Sequence, residues 1–185
     1  NLIGQYNNVL IFDLKNRGKE SFLQARSIDK KLNCSAELLS SDRQFFIGEP
    51  DSTLFEYGPT QSDKFSHDGK YAAKLDATAP YGMTIKIKDL KRGESFIISV
   101  WRKADGKAKG GLIASSSPTP YYNSDYKILK TDLAGWKKIS LEFFIPDELA
   151  GQELAVYAYN PEPEPVYFDD LEIVRYKSEL NKTKQ

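Results

Sequence analysis

Apolar and polar positions alternate with a period of two through much of this chain, most clearly in its last third. Ile139, Leu141, Phe143 and Ile145 share one face of a run whose other face carries Lys138, Ser140 and Glu142. Leu154, Val156 and Ala158 then alternate with Glu153, Ala155, Tyr157 and Tyr159. Strands with one buried face read this way, whereas a helix repeats every three or four residues. A third run spans 166–174, and the acids Asp169 and Asp170 in its middle predict a bulge or an edge.

The same pattern, punctuated by Gly, Pro, Asn and Asp turn signals, predicts strands over 71–76, 83–88, 94–103, 111–115 and 126–130. Earlier apolar runs predict strands at 9–12, 45–47 and 53–57. Residues 104–111 read as a polar hairpin loop and 115–123 as a longer irregular one. Residues 161–165 read as a stiff loop, because each Pro fixes φ and removes a donor. One stretch departs from this period. Phe22, Ala25, Ile28, Leu32, Ala36 and Leu39 recur at intervals of three and four, which predicts a short N-terminal helix between 20 and 40. Asn33, Cys34 and Ser35 are weak helix formers within it. The expected fold is all-β: a two-sheet antiparallel β-sandwich, or jelly roll, in one domain over 1–176. Residues 1–54 form its N-terminal strands or extension, and 177–185 a solvated tail.

Composition narrows the function more than the fold. At 185 residues the chain can bury a sizeable core. Lys plus Arg equals Asp plus Glu at 26 each, which leaves no basic surplus for nucleic acid or an anionic membrane. No apolar run is long enough for a membrane-spanning helix, so direct insertion is not expected. The single Cys34 cannot form an intramolecular disulfide. A chain starting at Asn1 reads as a processed or truncated form that has lost a signal peptide or a neighbouring domain. Aromatics stand out, with 11 Tyr, 10 Phe and 2 Trp; a sandwich core takes most of them and leaves some tyrosines for a surface.

Catalytic chemistry finds few carriers. The only histidine, His67, sits in a Ser-His-Asp-Gly turn, and one His with one Cys falls short of a zinc site. No phosphate-cradling glycine motif occurs. Glu142, Glu153, Asp169 and Asp170 lie on or near strands, yet no motif selects a glycosidase pair among them. The aromatic stripe carries more. If Phe96, Ile98 and Val100 face the core, Trp101 stands on the outer face of its sheet with Ser99. The same parity puts Tyr157 and Tyr159 outside. Aromatic rings stack on the apolar faces of sugars, and Ser99 and Arg102 are expected to bond hydroxyls beside Trp101. Tyr121, Tyr122 and Tyr126 border a loop at one end of the sandwich, a second candidate binding region. Trp136 reads as a structural cap at a strand start.

Several of these segments resemble a known family. Gly135-Trp136 opening a strand and Tyr167-Phe168-Asp169-Asp170 in the closing strand resemble the galactose-binding-like jelly rolls, which include many carbohydrate-binding modules. The Ser66-His67-Asp68-Gly69-Lys70-Tyr71 entry and Ser99-Val100-Trp101-Arg102 after the Lys91-Arg92-Gly93 turn resemble the same group, over residues 55–176. The resemblance implies a non-catalytic domain that binds polysaccharide, working extracytoplasmically beside neighbouring domains. It also implies a structural calcium ion held by Asp169, with Glu56 as the acid from an early strand, since calcium favours clustered carboxylate and carbonyl oxygens. A competing reading is a structural or protein-interaction sandwich without sugar affinity, in which Trp101 is covered. A third is a small jelly-roll enzyme.

Overall fold

The computed structural model describes residues 2–6 and 9–12 by their backbone, and residues 27–104, 106–117 and 119–177 with side chains. Among the described residues fifteen strands run β1 (Leu2–Tyr6), β2 (Val9–Phe12), β3 (Ile28–Leu39), β4 (Phe45–Glu49), β5 (Thr53–Glu56), β6 (Gln61–Ser62), β7 (Ala72–Leu75), β8 (Tyr81–Ile87), β9 (Ser95–Ala104), β10 (Gly111–Ser116), β11 (Tyr121–Asp125), β12 (Ile128–Thr131), β13 (Lys137–Phe144), β14 (Leu154–Tyr159) and β15 (Val166–Tyr176). The hairpin β1–β2 forms a two-stranded sheet of its own. The remaining strands follow one antiparallel path, β11-β10-β14-β8-β5-β4-β3-β15-β9-β13-β12, with β7 and β6 branching from β15.

That path curls over on itself. β5 and β8 meet through the single pair Glu56–Thr84, so the molecule packs as two layers joined at that corner. β11-β10-β14-β8 forms the first layer and β5-β4-β3-β15-β9-β13-β12 the second. Alternate residues of each strand fill the space between them. Leu112, Ala114, Leu154, Val156 and Ala158 project inward from the first layer. Phe46, Phe55, Phe96, Ile98, Val100, Ile139, Leu141 and Ile173 do so from the second. The rings of Phe96 and Phe143 stack at 5.4 Å within this core.

Among the described residues the segment expected to form an N-terminal helix is strand instead. Residues 28–39 are the long strand β3, and 20–26 lie outside the described residues. Leu32, Cys34 and Ala36 are buried at every second position. The apparent three-to-four spacing arises because the strand is irregular. Its pairing with β4 shifts register between Asn33 and Leu38, and Ala36 adopts φ 60°. This irregularity, in which β3 advances from Asn33 to Leu38 while β4 moves only from Glu49 to Ile47, displaces Leu38 and Leu39 from strict alternation. The region 115–123, expected to be irregular, also supplies an edge strand, since residues 121–125 form β11. β15 has the expected bulge, with Asp170 at φ 51° and a register shift against β9 between Asp169 and Glu172.

Candidate functional site

The outer face of the first layer is a surface of tyrosines. Tyr157 and Tyr159 project outward from β14, opposite the buried Val156 and Ala158. Tyr81 on β8 is the direct cross-strand partner of Tyr159, and the ring centroids lie 5.1 Å apart. Tyr81 also meets Tyr157 edge-on at 5.6 Å and stacks on Tyr57 at 5.9 Å. Tyr57 reaches this position because the chain leaves β5 there in a left-handed conformation, φ 73°. On the other flank, Tyr122 of β11 pairs with Ser115, whose hydroxyl lies 3.2 Å from the Tyr157 hydroxyl. Tyr126 completes the set. Its ring lies over Gly111, where any Cβ would meet Cε1 at 2.4 Å, so only glycine allows this close approach.

These six phenols are accessible while remaining ordered by one another. Tyr122 is 64% exposed, and Tyr57, Tyr81 and Tyr126 between 39% and 40%. Partial burial raises the phenol pKa of Tyr126, and the neighbouring Tyr122 adds to the rise. Burial also raises Tyr157, against a lowering hydrogen bond with Ser115. From Tyr122 to Tyr81 the rings cross β11, β10, β14 and β8, a span of about 14 Å at the ~4.8 Å spacing of strands, and Tyr57 extends the row at the corner beyond β5. Each presents an apolar face with a hydroxyl at its end, the combination that stacks on a sugar ring and bonds its hydroxyls.

Of the residues expected to bind, the structure gathers Tyr122, Tyr157 and Tyr159 here and separates the others. Trp101 does face outward, but from the second layer, and it is covered. The His67 imidazole stacks on it at 4.0 Å and 17°, and the Lys130 ammonium lies 4.8 Å over the ring. Phe65, Ala72, Trp136 and Tyr167 complete a small apolar cluster around it. Trp136 is thus buried as expected, though it closes this outer cluster rather than the main core. His67, expected in a turn, is half-buried, with Nδ1 2.7 Å from Asp170 and Nε2 3.6 Å from Asp132. Ser99 is buried between Ser140 and Glu172.

Arg102 and Tyr121 are corrections to the sequence reading. Arg102 follows Trp101 in the strand, so it points to the opposite side, into the sandwich. There its guanidinium donates to the carbonyls of Lys109, Gly110 and Tyr126 and cannot meet a ligand beside Trp101. Tyr121 pairs with Ser116 on the core side of β11 and packs near Phe143, ring centroids 6.1 Å apart. The residues missed by sequence reasoning are Tyr57 and Tyr81, together with the placement of Tyr126.

Asp169 and Glu56, the two acids that the resemblance implies for calcium, stand on separate strands. Glu56 on β5 and Asp169 on β15 are separated by β4 and β3 in the sheet. Asp169 is fully buried and already surrounded by donors: Oδ2 accepts the backbone N–H of His67 at 2.8 Å and of Asp68 at 3.3 Å, and Oδ1 accepts that of Asp170 at 2.8 Å. Among the described residues no group of three or more His, Cys, Asp or Glu is placed to hold a metal ion. Asp169 fastens the 65–71 segment that covers Trp101.

That fastening has a pH signature. Burial, partly offset by the His67 N–H and reinforced by the Asp170 charge, raises the Asp169 carboxyl from 3.8 to about 7. The folded state therefore holds a proton that the unfolded chain has released, and this group's contribution to stability falls as pH rises between 3.8 and about 7. The melting-temperature gap between wild type and Asp169→Asn is expected to shrink in favour of the variant across that window and to level off above it. A gap independent of pH would show that Asp169 folds fully ionised.

No protein-family model and no curated protein sequence matches the chain. Solved structures do. The CBM22-1 xylan-binding domain of Paenibacillus barcinonensis Xyn10C superposes with a TM-score of 0.50 at 13% identity, over 79% of this chain and 94% of that one. The C-terminal family 22 carbohydrate-binding module of Clostridium thermocellum Xyn10B gives a TM-score of 0.50 at 14% identity, over 85% of this chain and 98% of that one. A cyclase from Fischerella sp. TAU aligns over 87% of this chain and 94% of its own at 15% identity, with a TM-score of 0.45. At these identities the likeness establishes the fold, which is the β-sandwich jelly roll of carbohydrate-binding modules.

Proposed function

We infer that this chain is a non-catalytic glycan-binding module whose binding surface is the tyrosine face. The observation that carries the reading is the cluster Tyr57, Tyr81, Tyr122, Tyr126, Tyr157 and Tyr159. It is an exposed aromatic surface on a rigid sheet, with hydroxyl groups distributed among the rings. A patch of this kind marks a recognition site on a soluble protein. The neutral charge balance suits a neutral polymer better than a polyanion. The fold neighbours support the reading, since both are carbohydrate-binding modules and one is named for xylan. In this account the protein acts outside the cytoplasm on polysaccharide, beside neighbouring domains. No described helix is long and apolar enough to cross a membrane.

Native electrophoresis in gels containing xylan, mannan, galactan or soluble cellulose derivatives tests this reading. Retardation in at least one polymer, relative to a gel without polysaccharide, is the expected result. Unchanged mobility in all of them would turn the account toward a protein-interaction sandwich.

A further inference from the structure

Arg102 is buried, at 6% exposure, and faces the interior from β9 in the second layer. Its guanidinium crosses to the other side of the sandwich. One terminal nitrogen donates to the carbonyls of Lys109 and Gly110, and the other to that of Tyr126 at 3.2 Å. Those carbonyls belong to the two chain segments that frame one end of the tyrosine face. Lys109 and Gly110 lead directly into Gly111, the first residue of β10 and the cross-strand partner of Tyr159. Tyr126 follows the last residue of β11. The Gly110 backbone is also pressed onto the second layer. It takes φ +43°, and a Cβ there would meet Phe168 Cζ at 2.7 Å.

We propose that Arg102 is a positioning residue for the tyrosine face. It ties the 109–111 and 126 backbones to β9, so that the Tyr126 ring stays laid over Gly111 and beside Tyr122. The proposal rests on that face being the binding surface, but the positioning can be tested without a glycan. Arginine suits the role because its planar fork serves several carbonyls from one fixed group, which the single ammonium of lysine does not match. All three carbonyls accept from the one buried guanidinium, so it fixes the relative geometry of the two segments.

Tyr126 itself provides the reporter. Burial is the main cause of its raised phenol pKa, whereas the Arg102 charge acts in the opposite direction. The two roles of Arg102 therefore predict opposite shifts. If Arg102 holds Tyr126 in place, Arg102→Met lets the ring swing into water, and its phenol falls back toward the ordinary tyrosine value. If Arg102 contributes only charge, its removal pushes the phenol further up.

The experiment is a phenolate absorbance titration of the whole chain in which each background is compared with its own Tyr126→Phe variant, so the difference reports Tyr126 alone. Arg102→Lys, which keeps the charge and loses the fork, provides a second background should Arg102→Met not fold. Both are expected to lower the Tyr126 phenol. A rise or no change in either folded variant overturns the proposal. On whichever polysaccharide gel retards wild type, Arg102→Met and Tyr126→Ala should lose retention by a similar factor, and the double variant no further. Losses that multiply would contradict action through Tyr126. If no gel retards wild type, the binding-surface reading fails while the titration still decides the positioning.

Discussion

Replacing Glu94 by alanine is expected to lower stability by about 3–5 kcal/mol, the usual cost of removing one partner from a buried ion pair. Glu94 closes the turn that begins at Lys91, immediately before β9, and is 2% exposed. Its Oε2 accepts both the Lys91 N–H at 2.8 Å and the Arg175 Nη2 at 2.7 Å. Arg175 lies near the end of β15, and the same nitrogen donates to the Asp89 carbonyl at 2.6 Å. Its Nε is 3.7 Å from Asp29, beyond hydrogen-bond reach, so Asp29 is a weak substitute. Glu94→Ala therefore leaves a largely buried guanidinium without its principal carboxylate, at the junction of the two central strands of the second layer. For a chain of this length the expected drop in melting temperature is about 6–20 °C. A drop of only a degree or two would place the pair in solvent.

Trp101→Ala is expected to cost about 2–4 kcal/mol and to leave glycan retention nearly unchanged. Truncating a fully buried tryptophan costs about 3–5 kcal/mol, and the half-buried Trp101 loses less contact, so its cost is expected about 1 kcal/mol lower. The loss comes from its contacts with His67, with the Lys130 ammonium and with the cluster of Phe65, Ala72, Trp136 and Tyr167. Retention is unaffected because Trp101 belongs to the second layer and the tyrosine face to the first. Calorimetry of the variant and its mobility in a polysaccharide gel check the two halves together. Loss of retention at unchanged melting temperature would restore Trp101 as a binding platform.

Trp101 also shows how far the sequence could be read. Period-two parity placed it on an outer face correctly, because Phe96, Ile98 and Val100 are indeed buried. Parity could not reveal that residues 65–71 fold over it, since that contact depends on Asp169, about a hundred positions away, accepting the His67 and Asp68 N–H groups. Arg102 was different. The same alternation that turned Trp101 outward turns its neighbour inward, so the chain already carried the signal that Arg102 faces the core. Tyr157 and Tyr159 were legible because β14 alternates without interruption. Tyr81 was not, because Met83 at φ 49° breaks the alternation of β8 and hides the true start of the strand. Tyr57 escaped for a similar reason, as its direction is set by a left-handed residue rather than by strand parity. β11 was invisible because Tyr-Tyr-Asn-Ser-Asp shows no apolar alternation.

The most direct test of the central claim is the affinity of Tyr81→Ala/Tyr159→Ala for the polysaccharide that wild type binds best, measured alongside its melting temperature. Tyr81 and Tyr159 lie side by side at the middle of the face, where truncation removes the most stacking surface. A loss of affinity of at least about tenfold, ~1.4 kcal/mol, is expected with the fold intact. Affinity equal to wild type in a folded double variant would contradict the tyrosine face as the binding surface.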